Sequence, residues 1–381
     1  MKILHLFSNW KWTGPAEPAL NLSLSLKKRG HDVTFACGTA TKGNTNYVVT
    51  KALERGITPV TAFKLKKHFN VINNLRDISQ LKRFIKKNRY DIVHTHMQND
   101  HLIGGKAARG CGLDVLVVRT DYSGIEPTDS LRNRYLLKNL TDGLLVVSDK
   151  SLKGNMATFN LKRETVQKID GAIDLNRFDP ANSKQDLRNS LGIKEDDVVV
   201  GIVARVQRHR QFDLLLNSIS IAVKEYANLK LLIIGRGTNI NEIAVERSSE
   251  MNIDNNVIFA GYRKDDFVDV LACMDINVFL VPGSDGSCRA VREVMAMGKP
   301  VITLPNGMLP EMVINGETGF IVNDNARDMA DAFLKLTLNK QLREKLGMAA
   351  REKAVNDFNL DRQSEIVEKF YDSLIEQRSS L

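Results

Sequence analysis

Apolar residues fall along this chain in short β-branched runs, separated by longer stretches with helical spacing. The runs at 2–8, 32–37, 91–94, 115–119 and 143–147 predict strands in the first half. Those at 198–203, 230–234, 257–259, 276–280, 300–303 and 319–322 predict strands in the second. Strands that alternate with helices build βαβ units and parallel sheets. One segment has the wrong period: Leu20, Leu22, Leu24 and Leu26 alternate with Asn21, Ser23 and Ser25, as in a strand. Its flanks favour a helix. Pro15 and Pro18 suit a first helical turn, Gly30 suits the residue after the last, and Lys27, Lys28 and Arg29 complement the negative end of a helix dipole. Beyond Ala326 the chain reads as three helices, at 326–338, 340–356 and 360–377. Asp179-Pro180-Ala181-Asn182-Ser183-Lys184, polar with a helix-breaking proline, reads as a linker.

The expected class is therefore α/β, with two doubly wound Rossmann-like domains at 1–178 and 179–358. A final helix at 359–381 is expected to pack back on the first domain. Such domains bind ligands at the carboxyl ends of their strands, and two facing each other make a cleft.

Composition narrows the setting. Of 381 residues, 43% are hydrophobic and 26% charged, ordinary for a soluble globular protein. No apolar run approaches the ~20 residues of a membrane span, and the first is too short for a signal-peptide core, so cytoplasmic residence is expected. Cys37, Cys111, Cys273 and Cys288 are scattered without a C-x-x-C pair, which argues against a zinc site and a disulfide framework. Cys37, Cys111 and Cys273 read as small core hydrophobes, while Cys288 sits inside a motif taken up below. The net charge of +9 suits nucleic acid, an anionic membrane surface or phosphorylated ligands. Between Lys64 and Arg89 nine cations face one acid, Asp77. Within that stretch Leu81, Phe84 and Ile85 have helical spacing, with cations on the remaining face. Two readings stand side by side there: a solvated helix packed on the sheet, or peripheral attachment to an anionic bilayer.

The stretch 281–302 carries the most chemistry. A strand ends near Leu280, a polar turn with Gly283 and Gly286 follows, and a helix begins near Cys288. A helix N-terminus is an anion site. Asp285 and, two helical turns on, Glu293 add carboxylates that accept hydrogen bonds from vicinal hydroxyls. A sugar and a ribose around a phosphate would fit.

This segment resembles the E-x7-E signature of glycosyltransferase family 4, the group 1 enzymes of GT-B fold. The spacing is kept between Asp285 and Glu293, as is the tail Met-Ala-Met-Gly-Lys-Pro-Val, while Asp285 replaces the usual glutamate and Ser287-Cys288 the usual Phe-Gly. Ala204-Arg205-Val206 with Arg210 resembles the family's Gly-Arg-Leu-x-x-x-Lys. Leu232-Ile233-Ile234-Gly235-Arg236-Gly237 is similar to its strand ending in Gly-x-Gly, and Gly261-Tyr262-Arg263 to the segment whose backbone meets the base. Pro305–Glu311 and Asn315–Phe320 resemble its "G-G-x-P-E … N/D-G-x-T-G" stretch, and Ile169–Asp174 its domain junction. In the first half, Gly14-Pro15-Ala16-Glu17 stands where the family has Gly-Gly-x-Glu, and Asp91-Ile92-Val93-His94-Thr95-His96 resembles "D-x-x-H-x-H".

The resemblance implies retaining, metal-independent transfer from a UDP- or GDP-sugar to a glycan or glycolipid, with no further cofactor. Arg205 and Arg210 would neutralise the leaving diphosphate, Asp285 would meet donor-sugar hydroxyls, and His96 would line the donor–acceptor junction with His94 structural. Gly14, Gly235, Tyr262, Arg263, Gly286, Ser287, Cys288, Arg289 and Glu293 would bind the donor, Glu293 at the ribose. Acceptor contacts would come from the loops at 10–12, 64–70 and 122–134. A sugar-nucleotide 2-epimerase would use the same fold. A basic nucleic-acid-binding protein would use the charge, but no nucleic-acid motif or aromatic-rich basic stripe supports it.

Overall fold

The computed structural model describes residues 1–184, 186–282 and 288–380. Every strand expected above is present, with ends shifted by a residue or two. β1 (Lys2–Phe7), β2 (Asp32–Cys37), β3 (Ile92–Thr95), β4 (Leu116–Asp121), β5 (Gly143–Val146) and β6 (Val166–Lys168) form one parallel sheet in the order β2-β1-β3-β4-β5-β6. β7 (Val198–Val203), β8 (Leu229–Ile234), β9 (Val257–Gly261), β10 (Ile276–Phe279), β11 (Val301–Thr303) and β12 (Gly319–Ile321) form the other, ordered β12-β11-β10-β7-β8-β9. Only β6 escaped the sequence reading: an edge strand of three residues, Val-Gln-Lys, carries too little pattern.

The alternating leucines are helical. The helix Ala16–Lys28 buries Leu20, Leu22 and Leu26, with Pro15 at its N-cap and Gly30 at a φ of +94° just past its end. The three late helices run Ala326–Leu338, Lys340–Asp357 and Leu360–Ser379.

By packing, the chain divides into two units. One comprises 1–171 with the helix Leu360–Ser379; the other comprises 172–282 and 288–359. The boundary thus falls at Gly171/Ala172, upstream of the expected 178/179. The intervening residues are held by the second unit: the Ile173 N–H donates to the Phe358 carbonyl, the Arg177 guanidinium to the Lys264 carbonyl, and Phe178 meets Phe267 edge-on.

Each sheet has one place where the connections change direction. In the second unit it lies between β7 and β10, and in the first between β1 and β3. In sheets of this kind the carboxyl ends of the strands at that point are where a ligand crevice opens.

Candidate active site

At the switch point of the second unit, β7 does not end cleanly. The Ala204 and Val206 N–H groups go on donating to the Ile234 and Arg236 carbonyls, at 3.1 and 3.2 Å. Between them the Arg205 side chain stands exposed. This close pairing explains Gly-x-Gly on β8. A Cβ at Gly235 would lie 1.9 Å from the Ala204 oxygen, and one at Gly237 2.1 Å from that of Val206. Both glycines are needed simply to let the two loops touch.

Arg210 spans the switch point. One of its terminal nitrogens donates to the Val281 and Pro282 carbonyls at 2.7 and 3.0 Å, joining the loop after β7 to the end of β10. Asn306 braces the same strand end through the Leu280 carbonyl. Asp285, Gly286 and Ser287 lie outside the described residues. The chain returns at Cys288, buried at a left-handed φ of +38°, immediately before the helix Arg289–Ala296. Glu293 is buried on that helix, its carboxylate 3.0 Å from Nε of the half-exposed Arg289. A carboxylate meant only for solvation would face water; this one is turned inside.

On the other side of β8, the Gly235 N–H donates to the Gly261 carbonyl, which sets Tyr262 beside the same loop. Tyr262 is 63% exposed and takes the Arg236 guanidinium over its ring at 5.0 Å. Arg263 turns back to the Ala260 carbonyl and pairs with Asp266 at 2.7 Å, so its side chain braces its own turn. Of the residues expected to bind the donor, the described ones of this unit lie on strand-end loops or on the helix that follows the described end of β10.

In the first unit His96 is enclosed. Its ring is 1% exposed, and both nitrogens are engaged, Nε2 with His5 Nδ1 at 2.9 Å and Nδ1 with the Tyr122 hydroxyl at 2.8 Å. The chain has not yet left the packed sheet at the end of β3, so the ring stacks on His94 instead of lining an open junction. His94 in turn bonds Thr120 at 2.6 Å and Tyr371 at 2.5 Å. Burial holds all three imidazoles neutral: His5 is pulled down to about 3, and His94 and His96 fall well below the usual range, helped by one another and by Arg119. Nitrogens of the three lie within 4.8 Å, a grouping compatible with a metal ion. Their hydrogen bonds, however, already occupy every ring nitrogen except His5 Nε2.

What joins the two loops of this crevice is Asp100. Its carboxylate accepts from the Ser8 N–H at 2.6 Å, after β1, and from the Met97 and His96 N–H groups at 2.8 and 3.2 Å, after β3. Burial pushes its carboxyl up to about 7, against the pull of Arg119 and these donors. Gly14 is exposed in the loop after β1, just before the helix Ala16–Lys28, and Glu17 pairs with Arg55 at 2.8 Å. Sequence reasoning missed His5 and Asp100. His5 left a signal, a lone polar ring inside an apolar strand; Asp100 looked like any helix-start acid.

The family model "Glycosyl transferases group 1" matches residues 183–353, and "Glycosyltransferase Family 4" matches 14–177. An Escherichia coli relative, UDP-Gal:alpha-D-GlcNAc-diphosphoundecaprenol alpha-1,3-galactosyltransferase, is 24% identical over 82% of this chain and 82% of its own. Among solved structures, a glycosyltransferase from Rickettsia africae aligns at a TM-score of 0.83, 19% identity and 98% coverage of both chains. Anabaena Alr3699/HepE in complex with UDP aligns at 0.78, 18% identity and full coverage of both.

Proposed function

The chain belongs to the family 4, group 1 glycosyltransferases of GT-B fold, and from that membership we propose that it moves a sugar from a UDP- or GDP-linked donor to a hydroxyl of a glycan or glycolipid, with retention and without a metal. The bond from the anomeric carbon to the diphosphate oxygen breaks, the acceptor oxygen takes its place, and the acceptor proton is released. The observation that carries this reading is that two arginines stand on the one loop after β7, at a topological switch point. Arg205 is exposed there, and Arg210 is tied to the end of β10.

In this reading the two guanidiniums and the helix N-terminus at Cys288 and Arg289 stabilise the leaving diphosphate. Fixed positive groups aimed at developing charge supply the largest share of such catalysis. Tyr262 and the loops at Gly235 and Gly261 receive the base, Glu293 takes the ribose hydroxyls, and Asp285 takes those of the donor sugar. UDP is the favoured nucleotide, because HepE was solved with it and the E. coli relative is named for a UDP-linked donor. That relative's acceptor carries an undecaprenol lipid. A lipid-linked acceptor would bring this enzyme to the cytoplasmic face of a membrane.

A panel of UDP- and GDP-sugars with a lipid-linked glycan acceptor, read by mass spectrometry, tests the reading. Release of nucleotide with a sugar added to the acceptor is the expected result. An isomerised donor without transfer would make the chain an epimerase instead.

A further inference from the structure

The helix Val71–Asn88 buries Asn74, Asp77, Leu81 and Ile85, so the stripe of Leu81 and Ile85 packs inward on the first sheet's core. Its outer face is more unusual. Phe69, Val71, Ile72 and Leu75 are 57%, 57%, 81% and 63% exposed. Four large apolar side chains within seven residues contrast with the singly scattered ones normal on a monomer. They are surrounded by cations: Lys64, Lys66 and Lys67 in the loop before, and Arg76, Lys82, Arg83, Lys86 and Lys87 along the same outer face, all exposed.

Nothing on that face offsets the charge within the segment. Its one acid, Asp77, is fully buried, its two carboxylate oxygens accepting from the Lys64 and Leu65 N–H groups at 2.9 and 2.8 Å. The same contact fixes the loop that displays the lysines. Asn99 adds a bond to the Lys66 carbonyl at 2.8 Å and one to the side chain of Asn74. Asn70 caps the helix by accepting from the Asn73 N–H, which sets Val71, Ile72 and Leu75 on a formed first turn. The apolar group and the cations are thus held in place before any partner arrives.

We infer that this face docks on an anionic lipid bilayer, with the first turn of the helix among the acyl chains and the cations over the headgroups. The complementarity is of two kinds. Exposed apolar area gains by leaving water, and each basic residue near an anionic leaflet adds several-fold to partitioning, screened by salt. A purely electrostatic partner such as nucleic acid would leave Phe69, Ile72 and Leu75 without a role. The inference names the surface on which the proposed transfer would occur and rests on that reading only for its use in the cell.

The test is sedimentation of the full chain with vesicles of phosphatidylcholine alone, or with an equal share of phosphatidylglycerol, at low and physiological salt. UDP binding by calorimetry is measured alongside. The wild type should sediment with the anionic vesicles, less so in salt. Ile72→Ser with Leu75→Ser should weaken that at least about tenfold at unchanged charge. Lys82, Arg83, Lys86 and Lys87 to Gln together should abolish the preference for anionic lipid. These variants alter exposed side chains, and UDP affinity should stay at the wild-type value. Equal sedimentation with both lipids, none with either, or variants that match the wild type would overturn the inference. A failure of UDP binding in the wild type would instead count against a UDP-linked donor.

Discussion

Arg205 and Arg210 are held differently, and that difference sets what each should do. Arg205 is an exposed side chain on a paired backbone, whereas Arg210 also ties the Val281 and Pro282 carbonyls together. Charge-assisted contacts contribute about 1.5–3 kcal/mol. Arg205→Ala should therefore weaken UDP binding by roughly 10- to 100-fold. Arg210→Ala should cost at least as much, because the end of β10 loses its brace as well. Calorimetry that finds both variants at wild-type affinity would remove this loop from the site. Asp285→Glu, one methylene longer, should shift preference among donor sugars and spare nucleotide affinity, since the acid is assigned to hydroxyls and not to phosphate. Loss of UDP binding with unchanged sugar preference would refute that assignment. Two guanidiniums with a helix N-terminus also supply the positive charge a divalent ion would bring. Turnover should survive EDTA; activity lost to EDTA and restored by magnesium or manganese would contradict it.

At the level of elements, β1 and β3 carry an acid-sensitive core. His5 and His94 are register partners on those strands, His96 follows, and His101 lies buried on the helix Gln98–Gly110. Burial lowers all four, His5 to about 3. Below about pH 6.5 the unfolded chain takes up protons at these rings and the folded one does not. Their stabilisation is complete above that pH and is lost as the pH falls. Asp100, raised to about 7, works in the opposite sense, but it is one group against four. The thermal midpoint of the first unit should fall between pH 7 and pH 5, less steeply in His5→Leu. A midpoint flat across that range would show that the rings titrate in place. These same elements mark what the sequence made legible. Period, Pro and Gly placed the strands and even the alternating-leucine helix, because those signals are local. The pairing of His96 with His5 depends on strand register, which no local pattern records. Its burial was therefore missed, while the strand-end positions of Arg205, Gly235 and Tyr262 were not.

For the whole molecule, the order of the chain and the order of its units disagree. The helix Leu360–Ser379 ends the sequence yet belongs to the first unit, after all of 172–359 has been used to build the second. It is bound there in several ways. Val367, Phe370, Tyr371 and Leu374 are buried, and Leu374 and Phe370 approach Gly143 so closely that a Cβ there would collide. Tyr371 bonds His94, Glu368 takes Arg29 and His31, and Ser364 meets Ser25 at 2.8 Å. Burying four such side chains at about 1.5–3 kcal/mol each amounts to much of the ~5–15 kcal/mol that holds a domain together. A chain ending at Asn359 should therefore lose the first unit and keep the second, whose residues are all still present. Limited proteolysis followed by mass spectrometry reads this directly. In the shortened chain 1–171 should be digested while a fragment spanning about 172–359 persists; in the full chain both should resist. Equal resistance of 1–171 in the two chains would mean that the first sheet stands without its last helix, and that the long return of the chain serves something other than stability.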